Sequence, residues 1–451
     1  MAHRNGDERG RPATIPLSRN RNFQVLWGSQ VVSEFGLSAS TIAFPLLVLA
    51  ITGSAGASGL VLSVIAAAHV VAGLPMGALA DRWDRKKIML GCEAAQVISG
   101  ASLVAAIAWG VVTLPHIIVV AAVMGVCSAL FVPAEDASLP NVVPDNQVST
   151  AVAMNTARSY LADLLGTAAG GFLFALRRFM PFAVDVVTHA LALVGLTFLR
   201  LPPKPDPETQ PEPEPHLVHE MAAGLRWVWG NRSIRVVAFC AVGLNLFFAA
   251  YYIVIIVLAR GRGVPPGQIG VMAAMLGVGG LLGTLVAPYL HRKLHPYVSI
   301  VSVFWILTAL APLAVFLRNG YGLGVLFAAM AFLPPTANTT IITYQLLVTP
   351  DGMRGRLASV MGVLGGVAAA LGPAVGGLLV GAVSYDRAVL LCAAGLALVT
   401  VLATLSPTLR AFPGHDAGEA SPVAEQPLER PLSTQSFSSE SLPSERRQRD
   451  G

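Results

Sequence analysis

Charge is scarce in this chain. Of its 451 residues, 12% are Asp, Glu, Lys or Arg and 54% are hydrophobic, and the mean hydropathy is +0.65. Because a soluble domain carries about 25% charged residues, this composition excludes an ordinary soluble protein. The apolar residues form continuous runs rather than the alternation of a membrane barrel, which predicts an all-α membrane protein.

Cysteine is also scarce, with four in the chain. All four lie inside apolar runs without CxxC or Cys/His spacing, which excludes a disulfide framework and predicts no metal site. The sequence also lacks a Walker loop, a dinucleotide-binding loop and a Ser/His/Asp constellation. We therefore expect neither an enzyme nor a cofactor. The net charge of +5 is spread over short loops, so nucleic-acid binding is not expected.

The apolar runs predict twelve membrane spans, since about 20 apolar residues cross a bilayer. The predicted spans are 23–50, 56–80, 87–111, 114–134, 148–175, 179–199, 235–259, 266–289, 297–317, 321–345, 355–382 and 386–406.

The basic residues predict the orientation of these spans. With the N-terminus inside, 18 Lys and Arg residues lie in cytoplasmic segments before the C-terminal tail is counted, and 6 lie outside. Such a bias is typical of multi-pass proteins. We expect a protein of the inner (cytoplasmic) membrane with both termini in the cytoplasm.

The composition divides the chain into two bundles and three polar segments. The segment between the bundles begins Pro- and Glu-rich and ends with a pattern that predicts an amphipathic helix at the membrane surface; a plain linker is the alternative. The predicted divisions are a cytoplasmic tail 1–22, a six-helix bundle 23–200, a linker 201–234, a second six-helix bundle 235–408 and a disordered tail 409–451.

The two bundles resemble each other in sequence. "LGTAAGGFL" begins at Leu165 and "LGPAVGGLL" at Leu371, an offset of 206 that also relates Gly77 to Gly283. Two like-oriented six-helix bundles predict a transporter with its substrate site between them. The small residues of this repeat predict close packing or hinge bending: Gly166, Gly170, Gly171, Gly372, Pro373, Gly376 and Gly377.

A charged loop follows predicted span 2. The segment "GALADRWDRKKIML" resembles the signature of the major facilitator superfamily, and its matching residues are Gly77, Leu79, Asp81, Arg82, Arg85 and Lys86. Asp84 stands where the family usually has glycine. We predict that Asp81 faces the start of span 11, near Arg354 and Arg356, and forms a gate there. For Lys86, simple anchoring on the cytoplasmic side is the favoured interpretation.

Four further segments narrow the resemblance. "FVPAEDASLPNVV", "PFAVDVV", "GLRWVWGNRSIR" and "TPDGMRGRLASVMG" look like landmarks of the macrolide-efflux and enterobactin-exporter group of drug:proton antiporters. The resemblance implies a monomer in the bilayer that exports a small amphipathic molecule, such as an antibiotic, in exchange for protons. Export of a siderophore or another polar metabolite is an alternative, and a non-transporting scaffold or sensor is another.

Charged residues inside the predicted spans are functional candidates, because a charge at the bilayer centre costs about 2.5–3.5 kcal/mol. Glu34 is the first candidate for a proton carrier and Asp163 the second. Arg158 suits an anionic ligand, a carboxylate partner or a structural bridge, whereas Asp185 suits a structural contact and Glu93 either a proton site or a snorkelling side chain. For His189, simple packing is favoured over a proton relay. The polar residues predicted to line a cavity include Asn155, Asn245 and Gln345.

Overall fold

The computed structural model describes residues 16–74, 83–201 and 217–411, and these residues are almost entirely helical. The N-terminal half contains six long helices: α1 (Arg21–Thr52), α2 (Ala55–Gly73), α3 (Arg85–Ala108), α4 (Leu114–Val142), α5 (Val148–Leu176) and α6 (Met180–Thr197). The linker helix is α7 (Leu217–Gly230). The C-terminal half contains α8 (Arg232–Gly261), α9 (Pro266–Lys293), α10 (Pro296–Leu310), α11 (Gly320–Phe332), α12 (Pro334–Val348), α13 (Asp351–Ala382), α14 (Tyr385–Leu405) and the short α15 (Pro407–Arg410).

Twelve of these segments are long and apolar enough to cross a membrane, which confirms the predicted fold class. The tenth span comprises α11 and α12, which are separated where Pro334 and Pro335 follow Leu333. The proline ring disfavours a helical residue before it and removes a backbone donor, so the helix is interrupted there. We call the side on which α1 begins and α14 ends the terminal side.

Polar residues at the helix starts specify where several spans begin. The side chain of Asn20 accepts a hydrogen bond from the backbone N–H of Phe23 at the start of α1. At the start of α3, Asp84 accepts from the N–H groups of Lys86 and Lys87. Each cap satisfies a donor that the helix itself cannot pair. Asp84, which departs from the family signature, therefore has a local structural role.

Each half packs its helices in a related way. In the N-terminal half α1 lies between α5 and α6, and α3 lies between α4 and α6. The two halves meet where α2 packs on α13 and where α5 packs on α9.

Large apolar side chains such as Ile98, Leu176 and Phe316 remain strongly exposed on the outer surface. In a chain with twelve candidate spans, such side chains form the surface that faces lipid.

The repeat is visible in how glycines meet their neighbours. A side chain at Gly166 or Gly170 would overlap the backbone of α1, and a side chain at Gly372 or Gly376 would overlap the backbone of α8. Helices α5 and α13 therefore use equivalent glycines, 206 positions apart, to approach the first helix of their own half. This contact explains the small residues as packing positions.

A second pair of glycines joins the two halves. Gly171 of α5 lies against Gly270 of α9, and Gly377 of α13 lies against α2 near Gly56, with Gly59 against Pro373. All these contacts lie near the helix ends opposite the terminal side. Gly59 in α2 and Gly270 in α9 make equivalent contacts and are 211 positions apart in the sequence. This separation is five residues larger than the 206 positions between the equivalent glycines of α5 and α13. The sequence also pairs Gly77 with Gly283 at an offset of 206, but Gly77 lies outside the described residues.

The linker helix α7 packs on α13. A side chain at Gly224 would meet Val360 and the backbone of Arg356, and Val228 is buried in a cluster with Leu357. The exposed side chains of α7 include Leu225 and Trp229. The helix therefore rests partly on protein, rather than lying only in the membrane surface as its amphipathic pattern predicts.

Candidate functional site

Arg158 is the centre of a buried polar cluster in the N-terminal half. Its Nε and Nη2 donate to Glu34 at 3.0 and 2.9 Å, and its Nη1 and Nη2 donate to Glu135 at 2.7 and 3.2 Å. Ser159 donates a further hydrogen bond to Oε1 of Glu34 at 3.0 Å. The guanidinium thus binds two carboxylates at once, a geometry that its planar set of five donors allows.

The three charged residues come from three helices. Glu34 lies on α1, Glu135 on α4 and Arg158 on α5, each at least seven residues inside its helix. The side chains of Arg158 and Glu135 are 3% and 5% exposed, whereas that of Glu34 is 22% exposed. Glu34 is therefore the carboxylate of this cluster that is most accessible to solvent or to a ligand. With both acids ionised the cluster carries one net negative charge.

Glu135 is the functional candidate that the sequence did not reveal. The predicted fourth span ends at residue 134, because Pro133 and the acidic pair Glu135 and Asp136 resemble the end of a span. In the structure α4 continues to Val142 and includes Pro133 and Pro140. A proline inside a helix is tolerated where neighbouring helices satisfy the freed carbonyl.

Asp163 lies on the same helix as Arg158 but is not paired with it. Its Oδ1 accepts a hydrogen bond of 2.6 Å from the hydroxyl of Ser38 on α1. Asp163 is exposed, and it interacts electrostatically with Tyr252 on α8. Asp163 is thus an accessible acid near the boundary between the two halves, unlike Glu135.

A second polar cluster joins α3 and α6. Nδ1 of His189 lies 2.5 Å from Oε2 of Glu93, and Nε2 of His189 lies 3.2 Å from Oδ1 of Asp185. All three residues are buried, with exposed fractions of 1% for Glu93, 2% for His189 and 8% for Asp185. Glu93 therefore does not extend to the membrane surface, which was one prediction for it. His189 contacts two acids, so it does more than the simple packing that its sequence favours.

No hydrogen bond among the described residues joins the three predicted polar lining residues. Asn155 lies one turn before Arg158 on α5, and Asn245 lies midway along α8 but donates to the backbone carbonyl of Ala241 on its own helix. Gln345 lies in the last turn of α12, near the terminal side. Of these three, Asn155 lies nearest in the chain to the Arg158 cluster.

The predicted gate is described only in part. Gly77, Asp81 and Arg82 lie outside the described residues, so the predicted contact of Asp81 stays a prediction. Arg85 donates to the carbonyl of Ala137 at 2.6 Å and so ties α3 to α4. Lys86 donates to the carbonyls of Thr197 and Leu199 at the end of α6.

The remaining gate residues lie at the start of α13. Arg354 donates to the carbonyl of Leu346 at 3.0 Å. Arg356 lies 3.7 Å from the sulfur of Met353. Both arginines therefore stand at the terminal side, where the sequence predicts the gate.

A cavity of about 740 Å³ opens between α2 and α13 at the terminal side. It is lined by the end of α2 with His69 and Gly73, by the first turns of α13 with Arg356 and Ser359, and by Met221 of α7. The same two helices are in close contact at their other ends, through Gly59 and Gly377. Among the described residues, the halves are therefore in close contact on the opposite side, and a cavity lies between them on the terminal side.

These features define a class of protein before any comparison is made. Twelve spans in two repeated halves, charged residues in the membrane interior, and a cavity between the halves on one side are the architecture of a secondary transporter. The family model MFS_3, described as a transmembrane secretion effector, matches residues 13–438. The chain belongs to this family, within the major facilitator superfamily of membrane transporters.

Curated relatives agree with this assignment. The chain is 26% identical over 219 residues to macrolide efflux protein A of Streptococcus pyogenes, and this match spans 47% of the chain and about half, 52%, of that relative. It is 24% identical over 409 residues to the multidrug efflux pump Tap of Mycobacterium tuberculosis strain H37Rv, covering 87% of the chain and 95% of that protein.

Solved structures confirm the fold. A point mutant of the nucleoside transporter NupG superposes with a TM-score of 0.69 at 13% identity over 85% of this chain and 99% of that one. A bacterial homologue of the human lysosomal transporter Spinster, in an inward-facing unoccupied conformation, gives a TM-score of 0.65 at 13% identity over 87% of this chain and 98% of that one. At this identity the likeness shows the fold alone.

Proposed function

We propose that the protein is a secondary active transporter that exports a small amphipathic molecule in exchange for protons, in the inner membrane with both termini in the cytoplasm. The efflux pumps among its relatives and the secretion family support the direction of transport. The excess of basic residues on the terminal side supports the orientation. On this proposal the terminal-side cavity opens toward the cytoplasm.

The observation that carries the proton exchange is the unequal exposure of the two acids on Arg158. Glu34 is 22% exposed in its side chain and Glu135 is 5% exposed. Glu34 is the exchanging acid, because protons and substrate can reach it. Glu135 keeps the guanidinium neutralised when Glu34 is protonated, so Arg158 is never left as an unpaired buried charge, which would be strongly unfavourable.

Proton binding to Glu34 changes the cluster in two ways. The net charge of the three groups rises from minus one to zero, which is favoured in a low-dielectric interior. The two hydrogen bonds from Arg158 to Glu34 also weaken, because the acceptor loses its charge and one of its oxygens carries the proton, so α1 is held less firmly to α5. Substrate binding and proton binding can then exclude each other, which is the requirement for exchange.

Asp163 indicates the chemistry of the substrate. It is an exposed carboxylate whose hydrogen bond partner is the neutral hydroxyl of Ser38. Across the boundary between the halves, Asp163 lies near Tyr252 of α8, whose ring stacks on that of Phe327 in α11. An acid beside stacked aromatic rings suits a molecule with one cationic end and an apolar body. The alternative, an anionic siderophore or polar metabolite, would need a basic group that is not already paired with acids.

Exchange between two access states follows from the repeat. Among the described residues, glycine contacts close the side away from the termini, and a cavity lies between α2 and α13 on the terminal side. Rocking the halves would close the terminal side, where Asp81 of the signature loop and the arginines at the start of α13 form the proposed gate. The hinge glycines of α5 and α13 permit this motion, because they let backbones slide past each other closely.

The test uses everted membrane vesicles that contain the full chain. The vesicle interior is acidified, and uptake of a radiolabelled macrolide and of a fluorescent lipophilic cation is measured. With one proton exchanged per substrate, a difference of about 2 pH units supports up to about 100-fold accumulation. We expect accumulation that collapses when a protonophore removes the gradient.

The variant Glu34→Gln separates binding from coupling. It should retain exchange of internal for external substrate at equal concentrations, because the site is intact, but its accumulation ratio should fall to about one. Asp386→Asn, an acid at the far end of the C-terminal half, is the control and should accumulate substrate normally. Gradient-driven accumulation by Glu34→Gln equal to the unmodified protein would show that another group carries the proton.

A further inference from the structure

The cluster of His189, Glu93 and Asp185 lies on the other side of α1 from Arg158. Glu34 of α1 accepts hydrogen bonds from Arg158 on α5, whereas Gly36 of the same helix packs against Asp185 and Thr188 on α6. The backbone of α1 therefore separates two sets of buried ionisable groups. The second set belongs to α3 and α6 and has no part in the exchange proposed above.

The contact between His189 and Asp185 brings two buried polar atoms together. Nδ1 of His189 lies 2.5 Å from Oε2 of Glu93, a short charge-assisted contact. The other ring nitrogen, Nε2, lies 3.2 Å from Oδ1 of Asp185, and neither of these buried atoms has a hydrogen-bond partner. If the imidazole were neutral with its hydrogen on Nδ1, two acceptor atoms would lie 3.2 Å apart in a buried place with no donor between them. A proton on either atom turns this repulsion into attraction.

We propose that Nε2 of His189 and Oδ1 of Asp185 form a second proton-binding site, which stays occupied irrespective of the exchange at Glu34. With a proton on both ring nitrogens and both acids ionised, the cluster carries one net negative charge. Without the second proton it carries two, in a place where all three side chains are nearly inaccessible. Because buried unbalanced charge is strongly unfavourable, the occupied state is the stable one.

The surroundings of Asp185 suit such a site. Asp185 lines a small cavity of about 10 Å³ together with Gln96 and Ser99 of α3, and its apolar walls come from Phe44, Val120, Met124 and Phe182. A cavity of this size is close to what one water molecule occupies, and a water there has polar partners on two helices. A water in this cavity would donate a hydrogen bond to the Asp185 carboxylate and help to stabilise it in its ionised form.

The other groups that face the cluster carry no full charge. Cys92 of α3 and Cys127 of α4 interact electrostatically with Glu93, and Cys127 also with His189. From α1 the contacts are Gly36 at Asp185 and Phe44 at the small cavity. In the described part of the chain, no lysine or arginine contact is found for either acid of this cluster, so the imidazolium is what balances them.

The test measures the protonation of the His189 ring directly. The full chain is labelled with ¹⁵N-histidine, purified in detergent and examined by NMR at about pH 8, where an ordinary imidazole with a pKa of about 6.5 is neutral. The signals of His189 are assigned from their loss in His189→Gln, or, if that variant does not fold, as the signals that survive substitution of each of the other eight of the nine histidines. We expect both ring nitrogens of His189 to be protonated.

Two variants complete the test. Glu93→Gln combined with Asp185→Asn should convert His189 to a neutral ring, because neither acid then remains to balance an imidazolium. Glu34→Gln should leave the His189 signals unchanged, because α1 separates the two clusters. A single protonated nitrogen in the unmodified protein at about pH 8, an unchanged ring in the variant that lacks both acids, or a changed ring in Glu34→Gln would each overturn the proposal. None of these outcomes depends on whether export is proton-driven.

Discussion

The two halves share a backbone arrangement but differ in where their charges lie. The N-terminal half holds ionisable side chains within its helices, and all are buried except the partly exposed Glu34: Glu34, Glu93, Glu135, Arg158, Asp185 and His189. In the C-terminal half, the described acids and bases of the spans stand near the helix ends. One ion pair, Arg262 with Asp386, lies on the side away from the termini.

The packing, by contrast, is nearly the same in both halves. Glycines at equivalent positions of α5 and α13 contact the first helix of their own half and the second helix of the other. The comparison teaches that the repeat preserves the contacts needed for movement, while the charged chemistry is confined to one half. Substitutions of charged residues in the spans should therefore affect transport only in the N-terminal half. Substitutions of the packing glycines should affect transport to a similar extent in either half.

The largest expected effect comes from Arg158. Replacing it by glutamine leaves Glu34 and Glu135 facing each other without a cation, and breaking a buried ion pair in this way costs about 3–5 kcal/mol. We expect Arg158→Gln to show a strongly lowered unfolding midpoint in detergent and no gradient-driven accumulation. Circular dichroism during heating measures the unfolding midpoint, and the vesicle assay measures the accumulation.

A triple variant shows whether charge imbalance is the cause. Arg158→Gln combined with Glu34→Gln and Glu135→Gln removes the unpaired acids as well as the cation. Because the triple variant leaves no unpaired buried charge, most of the lost stability should return while accumulation stays absent. A triple variant as unstable as the single one would show that Arg158 contributes mainly through packing.

The next largest effect tests the shared packing. In Gly171→Ala and Gly377→Ala, the added methyl group meets backbone atoms of the other half, and such overpacking typically costs about 1–3 kcal/mol. Because these contacts close the side away from the termini, both variants should favour the state open on that side and slow transport by similar factors.

Matched controls are Gly381→Ala and Gly365→Ala, since a methyl group at either position has open space around it. Labelling of single cysteines placed at the ends of α1 and α8 opposite the terminal side reports how often that side opens. If Gly171→Ala slowed transport and Gly377→Ala did not, the proposed equivalence of the two contacts would be incorrect.

The spans and the repeat could be read from the sequence, because each depends on local properties. Hydropathy over about 20 residues identifies a span, and glycines such as Gly170 and Gly376 recur at a constant offset. The helix ends were less predictable. Span 4 continues past Pro133 and the acidic pair because neighbouring helices surround it, which no local pattern reveals. Span 7 likewise begins at Arg232, three residues earlier than predicted.

The candidate site was only half predictable for the same reason. Glu34 and Arg158 stand out as charges within apolar runs, but their pairing depends on how α1 and α5 cross, over 124 positions of sequence. Glu135 was hidden by the misplaced end of span 4. The sequence shows His189 only as a histidine within a span. Its contacts with two acids, of which Glu93 lies 96 positions away, depend on how α3 and α6 pack.

The smallest expected effect lies in the C-terminal half. Nη2 of Arg262 lies 2.7 Å from Oδ1 of Asp386, whose side chain is 55% exposed, and Arg262 also donates to the carbonyls of Ala314, Val315 and Leu317. Asp386→Asn removes only an exposed ion pair, worth about 0.2–1 kcal/mol. We expect its unfolding midpoint to fall slightly, less so at high salt, and its accumulation ratio to stay unchanged. An accumulation ratio as low as that of Glu34→Gln would instead mean that charge in the C-terminal half takes part in coupling, and the contrast between the halves would then fail.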